Sequence, residues 1–442
     1  MTGAASWRFA ASAIALAGLG YLWPALWNGL PLVYWDTGGY LMAAIKGEYE
    51  PNRSIFYARF INFAGRPSVW GVAIAQSMLA ASALGLAVLG LTQDRRALVL
   101  ALGLGALSSL AWYAGWLMPD LFTGLALTIT AAMAFGRLNG AVRAFLWLVL
   151  VFSMTVHTSH FPLVVGALAG AVVGGWIYGA RARWRAPVTA LAAAIALTVA
   201  ANAALTGQAF FNRTGWVLLF ARFAEGGLAQ SALERRCNVD PNWSKLCPIR
   251  NWIPNNAEQW LWSAGTPFWQ LGDWDGTRED SRKVVLEAIS TEPLRAAFFA
   301  LDGFGRQVLR IRLGEGTESQ LWFLRWTIEK EFPRELGVWE NAHQQKGELV
   351  AMAALANYPH MAVSLAALGL NFAALFLSRA PSPLRAAAAA ILLGLLANAF
   401  VCGALSGPHD RYGARAVWAA LLTAAPLALV LWDGRKRSAP KT

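Results

Sequence analysis

The chain is 442 residues long, 57% hydrophobic and only 14% charged, with a formal net charge of +12. Soluble domains carry roughly 25% charged residues, so an ordinary soluble globule is excluded and a membrane-embedded chain is expected. A nucleic-acid partner is excluded too, because the positive charge lies beside the apolar runs and the one long polar segment is nearly neutral.

Crossing a hydrocarbon core of about 30 Å takes about 20 apolar residues as a helix. Ten runs are read as such crossings, near 9–29, 69–92, 97–117, 121–136, 144–161, 162–179, 187–206, 356–377, 385–405 and 414–432. The expected fold is an all-α polytopic membrane protein of about ten transmembrane helices, with a partly helical outer segment between helices seven and eight. Three regions follow: a membrane block of about seven spans over 1–206, the segment 207–345, and a closing block of about three spans over 346–442.

The first run is preceded by Arg8 and followed by Trp23, Pro24 and Trp27 instead of a small-residue cleavage site, which predicts a retained helix. Alternate connections then carry Arg95 and Arg96; Arg137 and Arg143; Arg181, Arg183 and Arg185; Arg379 and Arg385; and a tail with Arg435, Lys436, Arg437 and Lys441. By the positive-inside rule these segments and both termini are cytoplasmic. The expected location is an integral protein of a bacterial inner membrane, in contact with its lipids.

The first outer loop, 30–68, holds Tyr34-Trp35-Asp36-Thr37-Gly38-Gly39-Tyr40, then Lys46, Arg53, Tyr57, Arg59 and Arg66. Asp36 has two readings. It can cap a short helix beginning at Thr37, or it can act as a carboxylate that takes a proton from an acceptor hydroxyl. The cations run against the positive-inside trend, and arginine forks suit phosphate oxygens. Contact with ordinary headgroups, or ion pairs with Glu48 and Glu50, is the plainer alternative.

The remaining outer turns are short and polar. Met118-Pro119-Asp120 joins spans three and four, His157-Thr158-Ser159-His160 joins five and six, and His409-Asp410-Arg411-Tyr412 joins nine and ten. Ionisable groups beside lipid are candidates for function. His157 and His160 at i, i+3 can share a face and bind a metal, although substrate contact or support of other groups suits two histidines better. Asp120 can be a helix cap, and Arg411 can pair with Asp410.

Residues 207–345 contain ten tryptophans, too many for a disordered connection. The tryptophans suit an interfacial belt with a small core, or stacking on sugar faces or a lipid headgroup. Amphipathic spacing predicts helices over 280–299 and 301–313, with a helix start at Thr291-Glu292-Pro293, while Pro241, Pro248 and Pro254 mark an irregular first half. Cys237 and Cys247 lie on the outer side, where a disulfide can form. Cys402 falls in the ninth span as a small packing residue.

Three motifs together resemble the GT-C superfamily of integral-membrane glycosyltransferases. Asp36-Thr37-Gly38-Gly39-Tyr40 is similar to the acidic loop after the first helix, Arg53-Ser54-Ile55-Phe56-Tyr57 to an Arg-x-x-x-Tyr segment, and Arg411-Tyr412 to an arginine-tyrosine pair before a final helix. The resemblance implies an inverting transfer from a polyprenyl-phosphate-linked sugar to a lipid, glycan or protein acceptor on the outer face. It implies that Asp36 is the base and that Arg53, Arg59 and Arg411 bind the donor phosphate. Tyr40, Lys46, Tyr57, Asp120, His157, His160, His409 and Tyr412 are then expected as substrate contacts or their supports. Asp36 is followed by Thr37 where many members have a second acid, so a divalent metal is admitted without being required. Two other classes are carried: a transporter or flippase for a lipid-linked sugar, and a non-catalytic envelope assembly protein.

Overall fold

The computed structural model describes residues 4–438, and the side chains of 7–434. The expected tail cations Arg435, Lys436, Arg437 and Lys441 have no described side chains. The chain is all-helical, and among the described residues extended pairing is limited to two isolated bridges, Leu32 with Trp116 and Glu50 with Arg53. Among the described residues seven helices are long and apolar enough to cross a membrane: Trp7–Asn28, Trp70–Thr92, His160–Tyr178, Arg185–Thr206, Glu348–Ala374, Ser382–Leu405 and Asp410–Gly434.

The other three expected runs take different forms. Leu121–Phe135 and Gly140–Thr155 are shorter apolar helices. Leu121–Phe135 is buried at every position, so its length of about 22 Å is lined by protein and need not match a bilayer. The run at 97–117 is broken into Arg95–Ala106 and Ser109–Ala114. The break leaves amide hydrogens without helical partners. Ser108 Oγ accepts from the Leu110 amide at 3.2 Å, and His360 Nδ1 accepts from Ser109 at 3.1 Å. His360 Nε2 then pairs with the Ile311 carbonyl at 2.7 Å.

The chain forms two compact units. The first comprises the residues up to Ala201, Arg310–Asn398 and those from Asp410 on. Small residues let its helices approach closely, as lipid-facing bundles require. Gly166, Gly170 and Gly174 make one stripe against the alanines of the Ser382–Leu405 helix. A Cβ at Gly170 would lie 2.7 Å from the Ala389 carbonyl oxygen.

The basic connections gather at one end of this unit. Arg96 bridges Asp94 and Asp433 at 2.9 and 2.8 Å. The Arg137 amide donates to Gly90 at 2.7 Å, and Arg183 donates to Gly136 at 2.8 Å. Arg385 donates to Leu375, whose carbonyl also accepts from the Tyr178 hydroxyl.

The second unit comprises Asn202–Leu309 and Ala399–His409. Its core packs Gly215–Glu225, Leu228–Cys237 and Arg278–Thr291 around Phe220, Trp260, Phe268 and Val284. The irregular stretch with Pro241, Pro248 and Pro254 folds into turns and short helices, among them Cys247–Trp252. Cys237 and Cys247 are bonded, with Cα atoms 5.5 Å apart; closing so short a loop contributes roughly 2–3 kcal/mol by chain entropy. The expected helix over 280–299 is two, because Pro293 starts a new helix, Pro293–Val308. That second helix runs through Leu301 and ends before 313. Glu292 at the corner accepts from Ser231, Arg235 and Arg295.

Candidate functional site

The loop before Asp36 is fixed by pairing. The Leu32 amide donates to Gly115 at 2.9 Å, and Leu117 donates to Leu32 at 2.8 Å. This brings the start of the Trp35–Lys46 helix beside Met118-Pro119-Asp120. Thr37 closes that helix start, its Oγ1 accepting from the Tyr34 amide at 2.9 Å and donating to the Leu117 carbonyl at 3.2 Å. The cap expected of Asp36 is therefore made by Thr37. Asp36 lies in the first turn, where the helix dipole favours a negative charge, with its carboxylate turned to other partners.

Those partners are arginines. Arg53 Nη2 donates to Asp36 Oδ1 at 2.5 Å, and Arg411 Nη1 donates to Oδ2 at 3.5 Å. Asn52 adopts a left-handed φ of 62° that turns the chain back, a conformation asparagine tolerates. Gly39 makes room for the arginine, since a Cβ there would sit 2.9 Å from Arg53 Nε. The Asp36 side chain keeps 25% of its surface exposed, against 14% for Arg53 and 7% for Arg411.

Charges continue inward in alternation. Arg411 Nε lies 3.6 Å from Asp120 Oδ1, and Arg415 Nη1 donates to the same oxygen at 3.3 Å. Asp120 and Arg415 are each 1% exposed. Asp120 makes no side-chain cap on the following helix. The pairing of Arg411 with Asp410 is replaced as well: Asp410 accepts from the Arg312 amide at 3.0 Å, and Glu315 accepts from the Arg411 amide at 3.0 Å. Arg411 also stacks on Tyr34 at 4.1 Å, and Tyr412 flanks Arg411 and Arg415 at 5.4 and 4.9 Å.

Arg415 also donates to Ser159 Oγ at 3.2 Å. His157 Nδ1 accepts from the Ser159 amide at 3.2 Å and pairs with its Oγ at 2.7 Å, which leaves the ring hydrogen on Nε2. Removal from water, then the Arg415 guanidinium, with His160, Arg411 and Arg53 after it, hold His157 well below its ordinary value. It is neutral at neutral pH. His160 stacks on His157 at 5.3 Å, yet its Nδ1 meets the Ser153 carbonyl at 2.6 Å and its Nε2 meets Thr123 at 2.7 Å. Both His160 nitrogens are engaged, so the two rings do not form a metal-binding pair, and His160 supports the turn, the plainer of the two readings. Among the described residues no three His, Cys, Asp or Glu side chains gather as a metal site.

The wall beneath is aromatic. Tyr40 and Tyr57 meet edge to face at 5.0 Å, and the Tyr57 hydroxyl donates to Gln76 at 2.8 Å. Burial pushes the hydroxyls of Tyr34, Tyr40 and Tyr57 up, so all three stay neutral at ordinary pH.

Three expected residues lie elsewhere. Arg59 and Lys46 are exposed at the opposite end of the Trp35–Lys46 helix, where a Cβ on Gly47 would come 3.1 Å from the Arg59 guanidinium. His409 belongs to the second unit, where its amide donates to Gln307 at 2.8 Å and its ring lies 3.7 Å from Glu258. Conversely, Arg415 was given no role by sequence reading, although its i, i+4 spacing from Arg411 puts both on one helix face. Glu315 left no signal in the sequence, being one acid among many in a polar segment.

No protein-family model matches the chain, and comparison with curated proteins and with solved structures finds no match.

Proposed function

We propose that this chain is an integral-membrane glycosyltransferase of the GT-C kind. It would move a sugar from a polyprenyl-phosphate donor to an acceptor hydroxyl on the outer face of a bacterial inner membrane. The observation that carries this reading is the half-open Asp36 carboxylate held between the Arg53 and Arg411 guanidiniums. The ten-crossing topology, with both termini cytoplasmic, rests on the alternation of basic connections and belongs to the same proposal.

The chemistry divides between these groups. A donor phosphate competes for the forks of Arg53 and Arg411, because the two free oxygens of a phosphodiester anion match guanidinium geometry as a carboxylate does. Its binding releases an Asp36 oxygen towards the acceptor. That oxygen takes the hydroxyl proton as the acceptor oxygen attacks the anomeric carbon. The carbon–oxygen bond to phosphate breaks on the opposite side, so configuration inverts. The bonding electrons leave with the phosphate, where fixed guanidiniums stabilise the developing charge. Asp120 and Arg415 hold Arg411 in place and touch no reacting atom in this scheme. Asp36 and Asp120 are engaged by arginine side chains, and the transfer is derived from these groups alone.

The test is transfer from a defined lipid-linked sugar by the purified protein. A general base contributes about 10²–10⁴-fold, and Asp36→Asn is expected to lose activity on that scale while retaining donor binding. Full transfer by this variant would end the proposal. Flux of labelled donor across proteoliposomes without covalent product would favour the transporter reading instead.

A further inference from the structure

The Pro293–Val308 helix in the second unit has two apolar faces. One, carrying Ala296, Gly303 and Gln307, is buried. The other bears Leu294, Phe298 and Leu301, exposed by 73%, 69% and 56%, and continues to Leu309 at 81%. At 100° per residue these side chains stand opposite the buried stripe, while Arg295, Asp302 and Arg306 run along one edge. Monomeric soluble surfaces rarely keep so continuous an apolar stripe in water.

What covers that stripe follows from where the helix is moored. Gly303 and Gly403 meet backbone to backbone, and a Cβ on either would lie 2.3 Å from the other's carbonyl oxygen. One turn away, the rings of Phe304 and Phe400 approach to 6.1 Å. Phe400 and Gly403 belong to the last turns of Ser382–Leu405, a helix long and apolar enough to cross a membrane. Phe400 is itself 44% exposed. The amphipathic helix is thus fastened to the last turns of a candidate span, within the second unit, and the end of a helix that crosses a bilayer lies where hydrocarbon gives way to headgroups. Charged residues along one edge and bulky apolar ones on the face are what an interfacial helix requires.

We propose that Pro293–Val308 lies in the membrane interface, with Leu294, Phe298 and Leu301 in contact with the acyl chains of the bilayer. This goes beyond the glycosyl-transfer reading and does not depend on it; it does rest on Ser382–Leu405 crossing the bilayer. The helix anchors the second unit to the lipid surface.

Collision accessibility tests it. The full chain with Cys402→Ala, in phosphatidylcholine–phosphatidylglycerol vesicles, carries a nitroxide at Phe298→Cys, Leu301→Cys, Arg306→Cys or, as a reference inside the span, Leu396→Cys. Labels at 298 and 301 are expected to collide with oxygen several-fold more than with a water-soluble nickel chelate, as the label at 396 does, and the label at 306 to show the reverse. Nickel access at 298 and 301 like that at 306, or shielding from both reagents by another protein surface, would overturn the inference while leaving the span intact. Aqueous access at 396 would overturn the membrane crossing and the inference with it. Because all four positions are exposed or half-exposed, labelling leaves the core undisturbed.

Discussion

Asp120 is the residue on which the inner charges converge, since Arg411 and Arg415 share one of its oxygens. Removing one partner of a buried ion pair leaves an uncompensated charge, at a cost of about 3–5 kcal/mol. Asp120→Asn is therefore expected to lower thermal stability well beyond Asp36→Asn, whose carboxylate is 25% exposed and meets water when unpaired. Intrinsic tryptophan fluorescence during heating measures both; equal losses would show that Asp120 is not the shared counter-ion. At this scale Asp36, Arg53 and Arg411 were legible because charged residues stand out against apolar runs. Which carboxylate each arginine meets was not, since Arg411 and Asp36 are separated by 375 residues and Asp410 is the nearer acid in sequence. The choice is made by folding, which aims the Asp410 carboxylate at a backbone amide and leaves Arg411 facing inward.

Helix contacts in the first unit depend on missing side chains as much as on present ones. Gly170→Leu would drive a side chain into the Ala389 and Ala390 backbone, which cannot rotate away. Such overpacking costs about 1–3 kcal/mol, read as a lower melting temperature in detergent. Gly369 is a control, because a Cβ there meets nothing within 4 Å, and Gly369→Ala should be neutral or stabilising by up to about 1 kcal/mol through helix propensity. If both substitutions destabilise alike, close packing is not the reason for the Gly166–Gly170–Gly174 stripe. In the second unit, the hydrogen bond from Ser231 and then Arg295, with Arg235, hold the Glu292 carboxyl down at about 2. A depressed carboxylate stabilises the fold above its unfolded-state value, and that contribution is lost as pH falls towards the folded-state one. The melting difference between the parent and Glu292→Gln should accordingly be largest above about pH 5 and close progressively as pH drops towards 2. A gap independent of pH would remove the charge from the explanation. Apolar runs were readable as helices, but breaks inside them were not. The break at Leu107–Ser108 is satisfied by His360, some 250 residues on in the chain, which no local pattern encodes.

For the molecule as a whole, the placement of charge predicts a membrane direction. Within the first unit, the loops carrying Arg96, Arg137, Arg183 and Arg385 interlock at one end through backbone and guanidinium contacts. Asp36, Asp120, His157, Ser159 and Arg411 form another connected group, joined through Arg53 and Arg415. Positive residues are retained on the cytoplasmic side during insertion, so the Asp36 group should face outward. Thr158 is exposed in the turn between Gly140–Thr155 and His160–Tyr178 and Arg181 in a basic connection, and neither belongs to the proposed reacting groups. In intact cells expressing the chain, a membrane-impermeant maleimide should label Thr158→Cys and leave Arg181→Cys unlabelled until the membrane is opened. The reverse pattern would put Asp36 on the cytoplasmic side, where nucleotide-linked sugars are available, and the argument for a lipid-carried donor would lose its basis. Labelling at both sites in intact cells would mean that these two connections do not lie on opposite sides, and the alternating topology would fail even with Asp36, Arg53 and Arg411 still assembled.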